Sequence, residues 1–316
     1  MSLLPVEPAY RLAERPEERR WLVETLWADE AVGIVGGEPK CCKSFLALDL
    51  AVAVASGVPC LRRYAVPRPG RVLLYAAEDA LDVVRRRLEG ICRATGVDLA
   101  TLDVQVITVP TLRLDCEHDR KRLAETVAAL RPRLLVLDPF VRLHRIDENV
   151  SGEVAPLLAY LRTLQRCHQL AVVVVHHARK GATHARAGQA LRGSSEFHAW
   201  GDSNLYLRRV GETLTLAVEQ RAAASIAGIA LTLQGEDDAL ALRVLDRENA
   251  VDLATAPLPA EDRVEHTLAE ATGPLTVAEI RRSCRVRTAT ICEILADLVA
   301  QGRVRRTAAG YLLAAT

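Results

Sequence analysis

Several features that would assign this sequence to a particular compartment or cofactor class are missing from its 316 residues. The eight cysteines contain no C-x-x-C pair and no paired Cys/His spacing, so a zinc site or a disulfide framework is not expected. No apolar run approaches the ~20 residues that cross a bilayer. Residues 1–20 are charged and lack the apolar segment of a signal peptide. We therefore expect a cytoplasmic protein without a membrane partner.

A strong overall charge is missing as well, since the formal net charge is +1. This balance gives no whole-protein signal for or against nucleic acid, so local charge has to decide. Hydrophobic residues make up 50% of the chain and charged residues 26%, which permits a substantial core. The length suits one large domain and one small domain, and the sequence has no internal repeat or low-complexity tract.

The stretch around which the chain is organised runs from Gly37 to Phe45. Its residues are Gly37, Glu38, Pro39, Lys40, Cys41, Cys42, Lys43, Ser44 and Phe45. It matches the pattern G-x-x-x-x-G-K-[ST], except that Cys42 stands where the second glycine belongs. An apolar run over 31–35 precedes the stretch and an apolar helical pattern over 45–55 follows it. Strand, tight loop and helix are the context of a phosphate site.

The chemistry of a phosphate site accounts for these residue types. Backbone N–H groups and the helix dipole at the start of a helix attract phosphate oxygens. Lys43 would neutralise the β- and γ-phosphates, and the Ser44 hydroxyl would hold Mg²⁺. The sequence therefore predicts ATP and Mg²⁺ as cofactors. The alternative is a chance Lys-Ser pair at the start of a helix.

After this loop, apolar runs typical of strands alternate with helical patterns. The runs cover 71–76, 104–109, 134–137 and 171–175, and the helical patterns cover 44–56, 80–95, 118–130 and 153–168. This alternation predicts an α/β fold with a doubly wound, mostly parallel sheet that binds ligands at the C-terminal strand ends. From about residue 203 the pattern changes to strands at 204–208, 213–218, 229–233 and 239–244. These strands predict an antiparallel extension of the sheet.

Composition divides the chain into four parts. They are an N-terminal lead-in at 1–30, a nucleotide-binding core at 31–250, a proline-punctuated linker at 251–260 and a terminal unit at 261–316. Trp21 and Trp27 of the lead-in would pack beside the first strand or stack on an adenine. In the terminal unit, three helical patterns followed by a hairpin predict a winged helix-turn-helix.

Two strand ends carry carboxylates suited to ATP hydrolysis. Asp138 follows the apolar run 134–137, at the position where a P-loop ATPase places its second Mg²⁺ contact. Glu78 ends the preceding strand, where a carboxylate can orient a water for in-line attack on the γ-phosphate. Asp79 is the second choice for that role. The alternative for Glu78 is an ordinary acid in the first turn of a helix.

His176 and His177 end the most apolar strand. Burying two imidazoles there costs free energy unless they are hydrogen-bonded. We expect His177, or else His176, to report the γ-phosphate to the following loop; the alternative is a structural pair. That loop contains no acid and carries Arg179, Lys180, Arg186 and Arg192. It suits an anionic polymer such as DNA, or is a solvated surface loop. The loop over 144–152 has mixed charges and is a weaker candidate.

The terminal unit has its own basic character. Its arginines are Arg281, Arg282, Arg285, Arg287, Arg303, Arg305 and Arg306, against Glu293 and Asp297 in the same span. They suit phosphate contacts, with Thr288 and Thr290 near base edges. Protein contacts are the alternative. A single module held by phosphates binds DNA at roughly 10⁻⁴–10⁻⁶ M, so effective binding favours an oligomer.

These residues resemble a known family. The segment from Ala77 to Asp82 looks like the catalytic-glutamate segment of RecA. Four further motifs are similar to the plasmid RepA-type ATPases: Gly-Glu-Pro…Lys-Ser-Phe-Leu-Ala-Leu-Asp, Leu-Asp-Pro-Phe-x-Arg-Leu-His with Glu148-Asn149, Val-His-His-Ala-Arg-Lys-Gly, and Leu-Arg-Gly-Ser-Ser. Those proteins are ring-forming relatives of RecA and DnaB that act as replicative helicases. The resemblance covers about residues 27–245.

The resemblance implies a RecA-like ATPase core and a homo-oligomeric ring of about six subunits. It implies a phosphate loop at Gly37–Ser44, Mg²⁺ contact by Asp138, catalysis by Lys43 and Glu78, and sensing by His177. It also implies that the loops after Asp138 and His177 line a DNA channel. ATP would then sit between subunits, and the winged helix lies outside the shared core.

A neighbouring subunit in such a ring must supply an arginine finger, worth about 10³–10⁵ in rate. Where the plasmid helicase has an arginine shortly after Arg-Gly-Ser-Ser, this chain has Gly201 and Asp202. Arg221 sits where DnaB-type proteins place a Lys-x-Arg finger, so it is the first choice in trans. Arg192 is the second choice in trans.

The sequence therefore predicts an oligomeric DNA-dependent ATPase, a RepA-like replicative helicase or translocase of a plasmid, phage or other mobile element. The alternative is an ATP-gated DNA-binding regulator or assembly factor without unwinding activity. A small-molecule kinase is a third possibility, but the sequence has no lid or acceptor-site signature for it.

Overall fold

The computed structural model of the protein describes residues 4–12, 20–177, 196–210, 213–236, 239–245, 260–271, 273–284, 287–301, 303–307 and 309–313. The chain forms two compact units, Met1–Asp246 and Arg247–Thr316. Within the described ranges, every helix is too short or too polar to span a membrane.

The first unit alternates strands and helices along most of its length. Its strands are β1 (Trp21–Val23), β2 (Trp27–Ala28), β3 (Val32–Gly37), β4 (Val72–Ala76), β5 (Val104–Val106), β6 (Leu134–Asp138), β7 (Ala171–His177), β8 (Ser203–Val210), β9 (Thr213–Gln220), β10 (Ile226–Glu236) and β11 (Ala239–Val244). Its α-helices are α1 (Lys43–Ser56), α2 (Leu81–Thr95), α3 (Glu117–Leu130), α4 (Ser151–His168) and α5 (Glu196–Trp200). Short 3-10 helices cover Ala9–Arg11, Leu99–Thr101 and Phe140–Arg142.

One large sheet organises this unit. Its strand order is β11-β10-β9-β8-β3-β7-β6-β4-β5. The strands from β8 to β5 in this order are parallel, whereas β8, β9, β10 and β11 pair antiparallel. The prediction of an α/β fold with a mostly parallel sheet and an antiparallel extension is therefore confirmed.

Both faces of the parallel part of the sheet are covered, which is why its strands read as continuous apolar runs. Residues of α1 and α2 join one core cluster, and residues of α3 and α4 join a second. In β9, by contrast, buried and half-buried residues alternate, as expected for a strand covered on one face. The two clusters hold the C-terminal ends of β3, β7, β6 and β4 in fixed positions.

The N-terminal lead-in contributes to the core of the first unit. The strands β1 and β2 form a short antiparallel pair, and Leu22, Val23 and Leu26 are buried. Trp27 is fully buried and donates its indole N–H to the Ala31 carbonyl oxygen at 3.2 Å. The reading of Trp27 as an adenine platform is therefore wrong, because its ring is packed inside the core.

The second unit contains α6 (Ala260–Glu270), α7 (Val277–Cys284), α8 (Thr288–Ala300), β12 (Val304–Thr307) and β13 (Gly310–Leu313). Its core includes Val264, Ile280, Ile291 and Leu295. The Thr276 N–H donates to Glu279 at 2.7 Å and the Glu279 N–H donates to the Thr276 hydroxyl at 3.3 Å, and these two bonds form a capping box at the start of α7. Apart from Ala260, the predicted linker 251–260 lies outside the described residues.

Candidate nucleotide site

The candidate site lies along one edge of the sheet, where four parallel strands end. Gly37 at the end of β3 pairs with His177 at the end of β7, and Asp138 at the end of β6 pairs with Ala76 of β4. Glu78 lies two residues beyond β4. The structure thus brings the predicted phosphate loop, metal carboxylate, catalytic glutamate and sensor to one edge, where ligands bind in open α/β sheets.

The phosphate loop keeps its backbone shape although it lacks one glycine. Gly37 has φ +151°, and a Cβ there would lie 2.2 Å from the Leu207 carbonyl oxygen of β8, so only glycine fits. Lys40 and Cys42 have φ of 64° and 63°, in the left-handed region that glycine adopts without strain. Cys42 therefore takes the conformation of the missing glycine, at a cost of roughly 1–2 kcal/mol.

Lys43 begins α1 and is buried. Its Nζ donates to the Glu38 carbonyl oxygen at 2.7 Å and lies 3.9 Å from Cys41 Sγ. Burial lowers the pKa of Lys43, and the neighbouring Cys41 thiol and Asp138 carboxylate oppose that shift. The ammonium group is therefore held against the loop.

Ser44 and Asp138 form the candidate Mg²⁺ position. Asp138 is 8% exposed and accepts a hydrogen bond from the Ser44 side chain. Burial raises the pKa of Asp138 to about 6, and the Ser44 hydrogen bond opposes this rise. A hydroxyl beside a buried carboxylate offers hard oxygen ligands, and Mg²⁺ is commonly held by one or two carboxylates plus substrate phosphates. The residues therefore fit Mg²⁺, which would neutralise charge on the phosphates.

The described residues contain no group of three or more His, Cys, Asp or Glu side chains that would hold a metal by protein ligands alone.

Glu78 is held by the segment that follows β6. Its Oε1 accepts a hydrogen bond from Arg142 Nε at 2.8 Å, and the two side chains are 41% and 61% exposed. Asp79, the second choice as catalytic carboxylate, pairs instead with Arg87 Nη1 at 2.5 Å. The Arg87 guanidinium also lies 5.2 Å from the centre of the Phe45 ring. Sequence patterns alone did not identify Arg142 and Arg87 as partners of these carboxylates.

The two histidines at the end of β7 have different environments. His176 is 1% exposed, and its ring stacks on Phe197 at 4.1 Å between ring centres. Phe197 contacts Phe140 at 5.1 Å, and Phe140 contacts His144 at 4.5 Å. We call Phe140, His144, His176 and Phe197 the aromatic cluster. His176 is packed within this cluster, whereas His177 is half-buried beside Gly37, so His177 remains the first choice as sensor.

Of the two candidate DNA loops, the structure describes the loop over 144–152. The basic loop residues Arg179, Lys180, Arg186 and Arg192 lie outside the described residues, including the second-choice finger. In the loop over 144–152, His144 is buried, its Nε2 lies 3.2 Å from Glu148 Oε1, and its carbonyl oxygen accepts from Arg113 at 2.8 Å. His144 is therefore a structural residue of that loop.

Arg221, the predicted finger, lies at the opposite edge of the sheet from the phosphate loop of its own chain. The strand β9 runs antiparallel to β8, so its end lies beside Asp202, whose N–H donates to the Val32 carbonyl oxygen at the start of β3. Arg221 Nη1 lies 3.4 Å from Asp202 Oδ1, and the side chain also donates to the Ala199 carbonyl oxygen. Arg221 also lines a cavity of about 670 Å³ together with Trp21 and Gln165. Any role at a nucleotide would be in another subunit.

An arginine that the sequence analysis passed over lies at the phosphate loop. Arg209 Nη2 donates to Cys42 Sγ at 3.4 Å. The signal that would have indicated it is the basic pair Arg208-Arg209 at the end of an apolar strand. Recognising its importance requires the knowledge that β8 lies next to β3.

In the second unit, the predicted DNA-contacting residues differ in their exposure and in their contacts with neighbouring side chains. Arg281, Arg282, Arg287, Thr288 and Arg305 are exposed, Arg306 lies 5.8 Å from the Tyr311 ring centre, and Arg285 lies outside the described residues. Arg303, however, pairs with Glu261 at 3.2 Å and with Glu265 at 2.5 Å. Its charge is compensated within the unit, which the sequence did not reveal.

Two comparisons with known proteins agree with this geometry. The AAA domain family (AAA_25) matches residues 2–183, which is more than half of the chain. The crystal structure of the RadB recombinase is similar with a TM-score of 0.51 and 15% identity, over 69% of this chain and 92% of that chain. At this identity the likeness shows the fold alone, and it confirms the prediction of a RecA-like P-loop ATPase fold. The chain belongs to the AAA domain family.

Proposed function

We propose that the protein is an oligomeric DNA-dependent ATPase that acts as a RepA-like replicative helicase or translocase of a plasmid, phage or other mobile element. ATP binds at Gly37–Ser44, Ser44 and Asp138 hold Mg²⁺, and Glu78 orients the attacking water. His177, beside the loop, senses the γ-phosphate.

The observation that carries DNA dependence is the ion pair between Glu78 and Arg142. Glu78 can orient a water only when its carboxylate is free to accept the water proton. In this structure an exposed arginine, in the segment that continues into the proposed DNA-channel loop, holds that carboxylate. A DNA phosphate that pairs with Arg142 competes directly with Glu78. DNA binding thereby releases the glutamate for hydrolysis.

The second unit supports DNA as the partner. Its exposed arginines on α7, at the start of α8 and on β12 offer phosphate contacts. A single such module binds DNA weakly, at roughly 10⁻⁴–10⁻⁶ M, and several copies in one assembly add about 10²–10⁴ in avidity. A homo-oligomeric ring of about six subunits would provide these copies and place Arg221, or Arg192, at a neighbouring nucleotide.

The variant Arg142→Ala tests this coupling. Loss of the guanidinium frees Glu78, so the ATPase rate without DNA should rise towards the DNA-stimulated rate of the wild type, and stimulation by DNA should shrink. Arg142→Lys keeps a cation near Glu78 and serves as the matched control, with a basal rate close to wild type. A basal rate that stays low in Arg142→Ala, with full stimulation by DNA, would contradict the proposal.

One observation favours a second candidate, an ATP-gated DNA-binding regulator or assembly factor. Cys42 puts a side chain at the loop position where a glycine usually lets phosphates approach closely. Slow turnover at such a loop would make ATP a signal for assembly. Measuring strand separation on a forked DNA, together with DNA affinity of Glu78→Gln in ATP, decides between the two. The regulator predicts tight binding by Glu78→Gln and no separation by the wild type.

A further inference from the structure

Arg209 lies on the face of the sheet that carries the phosphate loop. Leu205 and Leu207 of β8 belong to the core cluster shared with α1, and side chains two residues apart along a strand point to the same face. Arg209 continues this row beyond Leu207, which is paired with Gly37. This register explains how its guanidinium reaches Cys42 Sγ at 3.4 Å.

Within the described part of the chain, no carboxylate compensates the charge of Arg209. Among the residues that the structure describes, its contact is the neutral Cys42 thiol, a weak acceptor, and its side chain is exposed. Arg87, the other arginine near the loop, is instead paired with Asp79 at 2.5 Å. A guanidinium held beside a phosphate loop without an acidic partner is suited to bind an anion.

The sheet order decides which part of a nucleotide Arg209 meets. The residues proposed for the metal, the attacking water and the sensor lie on β6, after β4 and on β7, all on one side of β3. The reacting γ-phosphate must therefore lie on that side. The strand β8 flanks β3 on the other side, so the α-phosphate and the nucleoside extend towards Arg209.

We propose that Arg209 binds the α-phosphate and nucleoside end of the nucleotide in the same subunit, with the Cys42 side chain holding its guanidinium at the loop. This inference rests on the proposed function, because it assumes that the loop binds ATP. Cys42 then replaces the glycine and also supplies the contact that positions an additional nucleotide ligand.

The test compares Arg209→Ala with Arg208→Ala, which removes the neighbouring arginine whose side chain points to the opposite face of the strand. Dissociation constants are measured for ATP, ADP and inorganic tripolyphosphate in the full-length protein. We expect Arg209→Ala to weaken ATP and ADP equally, by about tenfold or more, as expected for loss of a charge-assisted hydrogen bond. Binding of tripolyphosphate should weaken as well, because one of its three phosphates takes the position of the α-phosphate.

Three results would overturn the inference: unchanged affinity for ATP, a loss confined to ATP with ADP unaffected, or unchanged affinity for tripolyphosphate. Arg209→Gln, which keeps most of the side chain, repeats the measurement if the alanine variant folds poorly. Lys43→Ala separates this inference from the function on which it rests. If wild type and Lys43→Ala bind ATP equally weakly, the proposed function fails. If Lys43→Ala alone loses affinity, only the assignment of Arg209 fails.

Discussion

At the level of single residues, Cys42 has a left-handed backbone, which glycine adopts without strain, at the position where the phosphate-loop pattern has its second glycine. The function of the glycine is a left-handed backbone, and Cys42 adopts φ 63° at the same place. Its side chain accepts a hydrogen bond from Arg209. The departure from the motif is therefore compatible with nucleotide binding, and it adds a contact that glycine cannot make.

Asp138 carries a prediction about pH and stability. Its pKa is raised to about 6 by burial, above the unfolded value of about 3.9, so the folded state binds the proton more tightly than the unfolded state. The stability this provides is complete at low pH and is lost as pH rises through about 6. Without nucleotide and metal, Asp138→Asn should therefore be more stable than the wild type near pH 7.5, by about 2–3 kcal/mol.

Denaturant unfolding of the two proteins at several pH values measures this difference. It should shrink as the pH falls from about 7.5 towards about 5, because the wild-type carboxyl becomes protonated. Asp147→Asn, in an exposed loop, is the control and should show no gain near pH 7.5. A difference for Asp138→Asn that is independent of pH would contradict the assigned pKa shift.

At the level of elements, the local hydrophobic pattern was enough to predict the strands and the residues at their ends. It did not predict which distant strands pair with each other. Apolar runs in the sequence located β3, β6 and β7. The residues that follow the runs of β6 and β7 are Asp138 and the histidine pair, and they were predicted because the end of a strand follows directly from the end of its apolar run. The contact of Arg209 with Cys42 depends on the pairing of β8 with β3. The paired residues Val35 and Leu205 of these strands are 170 positions apart in the sequence. No local pattern encodes that pairing.

The same reason explains Arg142, Arg221 and Arg303. Each was present in a predicted segment, but its partner lies on another element: Glu78 after β4, Asp202 before β8, and Glu261 with Glu265 on α6. The short strands β1 and β2 were also not predicted, because two- or three-residue strands have no measurable periodicity.

The pairing of Arg303 predicts different effects for two neighbouring arginines. Arg305 is exposed and free for a phosphate, so Arg305→Ala should weaken DNA binding and reduce the slope of log affinity against log salt by about one. Arg303→Ala should leave that slope unchanged and instead lower the thermal stability of the second unit, since Glu261 and Glu265 lose their shared partner. DNA titrations at several salt concentrations measure the slopes. A larger change of slope for Arg303→Ala than for Arg305→Ala would contradict this assignment.

At the level of the whole molecule, the position of Arg221 determines how subunits must be arranged for it to reach a nucleotide. It lies at the opposite strand ends of the sheet from the phosphate loop of its own chain. It can therefore meet a nucleotide only if these strand ends in one subunit face the phosphate loop of a neighbouring subunit. A ring with ATP between subunits has this geometry.

Mixing two inactive variants tests the role of Arg221 in trans. Lys43→Ala removes nucleotide binding in its own subunit but supplies a finger, and Arg221→Ala binds nucleotide but lacks the finger. A mixture should therefore hydrolyse ATP faster than either variant alone, because some interfaces combine an intact loop with an intact Arg221. Arg162→Ala, which removes another partner of Asp202, controls for local damage around that carboxylate. Rates that merely average the two variants would assign the finger to another residue.

A steady-state ATPase measurement decides whether ATP hydrolysis by this protein depends on DNA. Rates are compared for the wild type with Mg²⁺ alone, with single-stranded DNA and with double-stranded DNA, and Lys43→Ala serves as the blank. If DNA releases Glu78 from Arg142, the rate should be low without DNA and rise several-fold with at least one form of DNA, and Lys43→Ala should abolish both rates. A wild-type rate that stays the same with and without either DNA would contradict it.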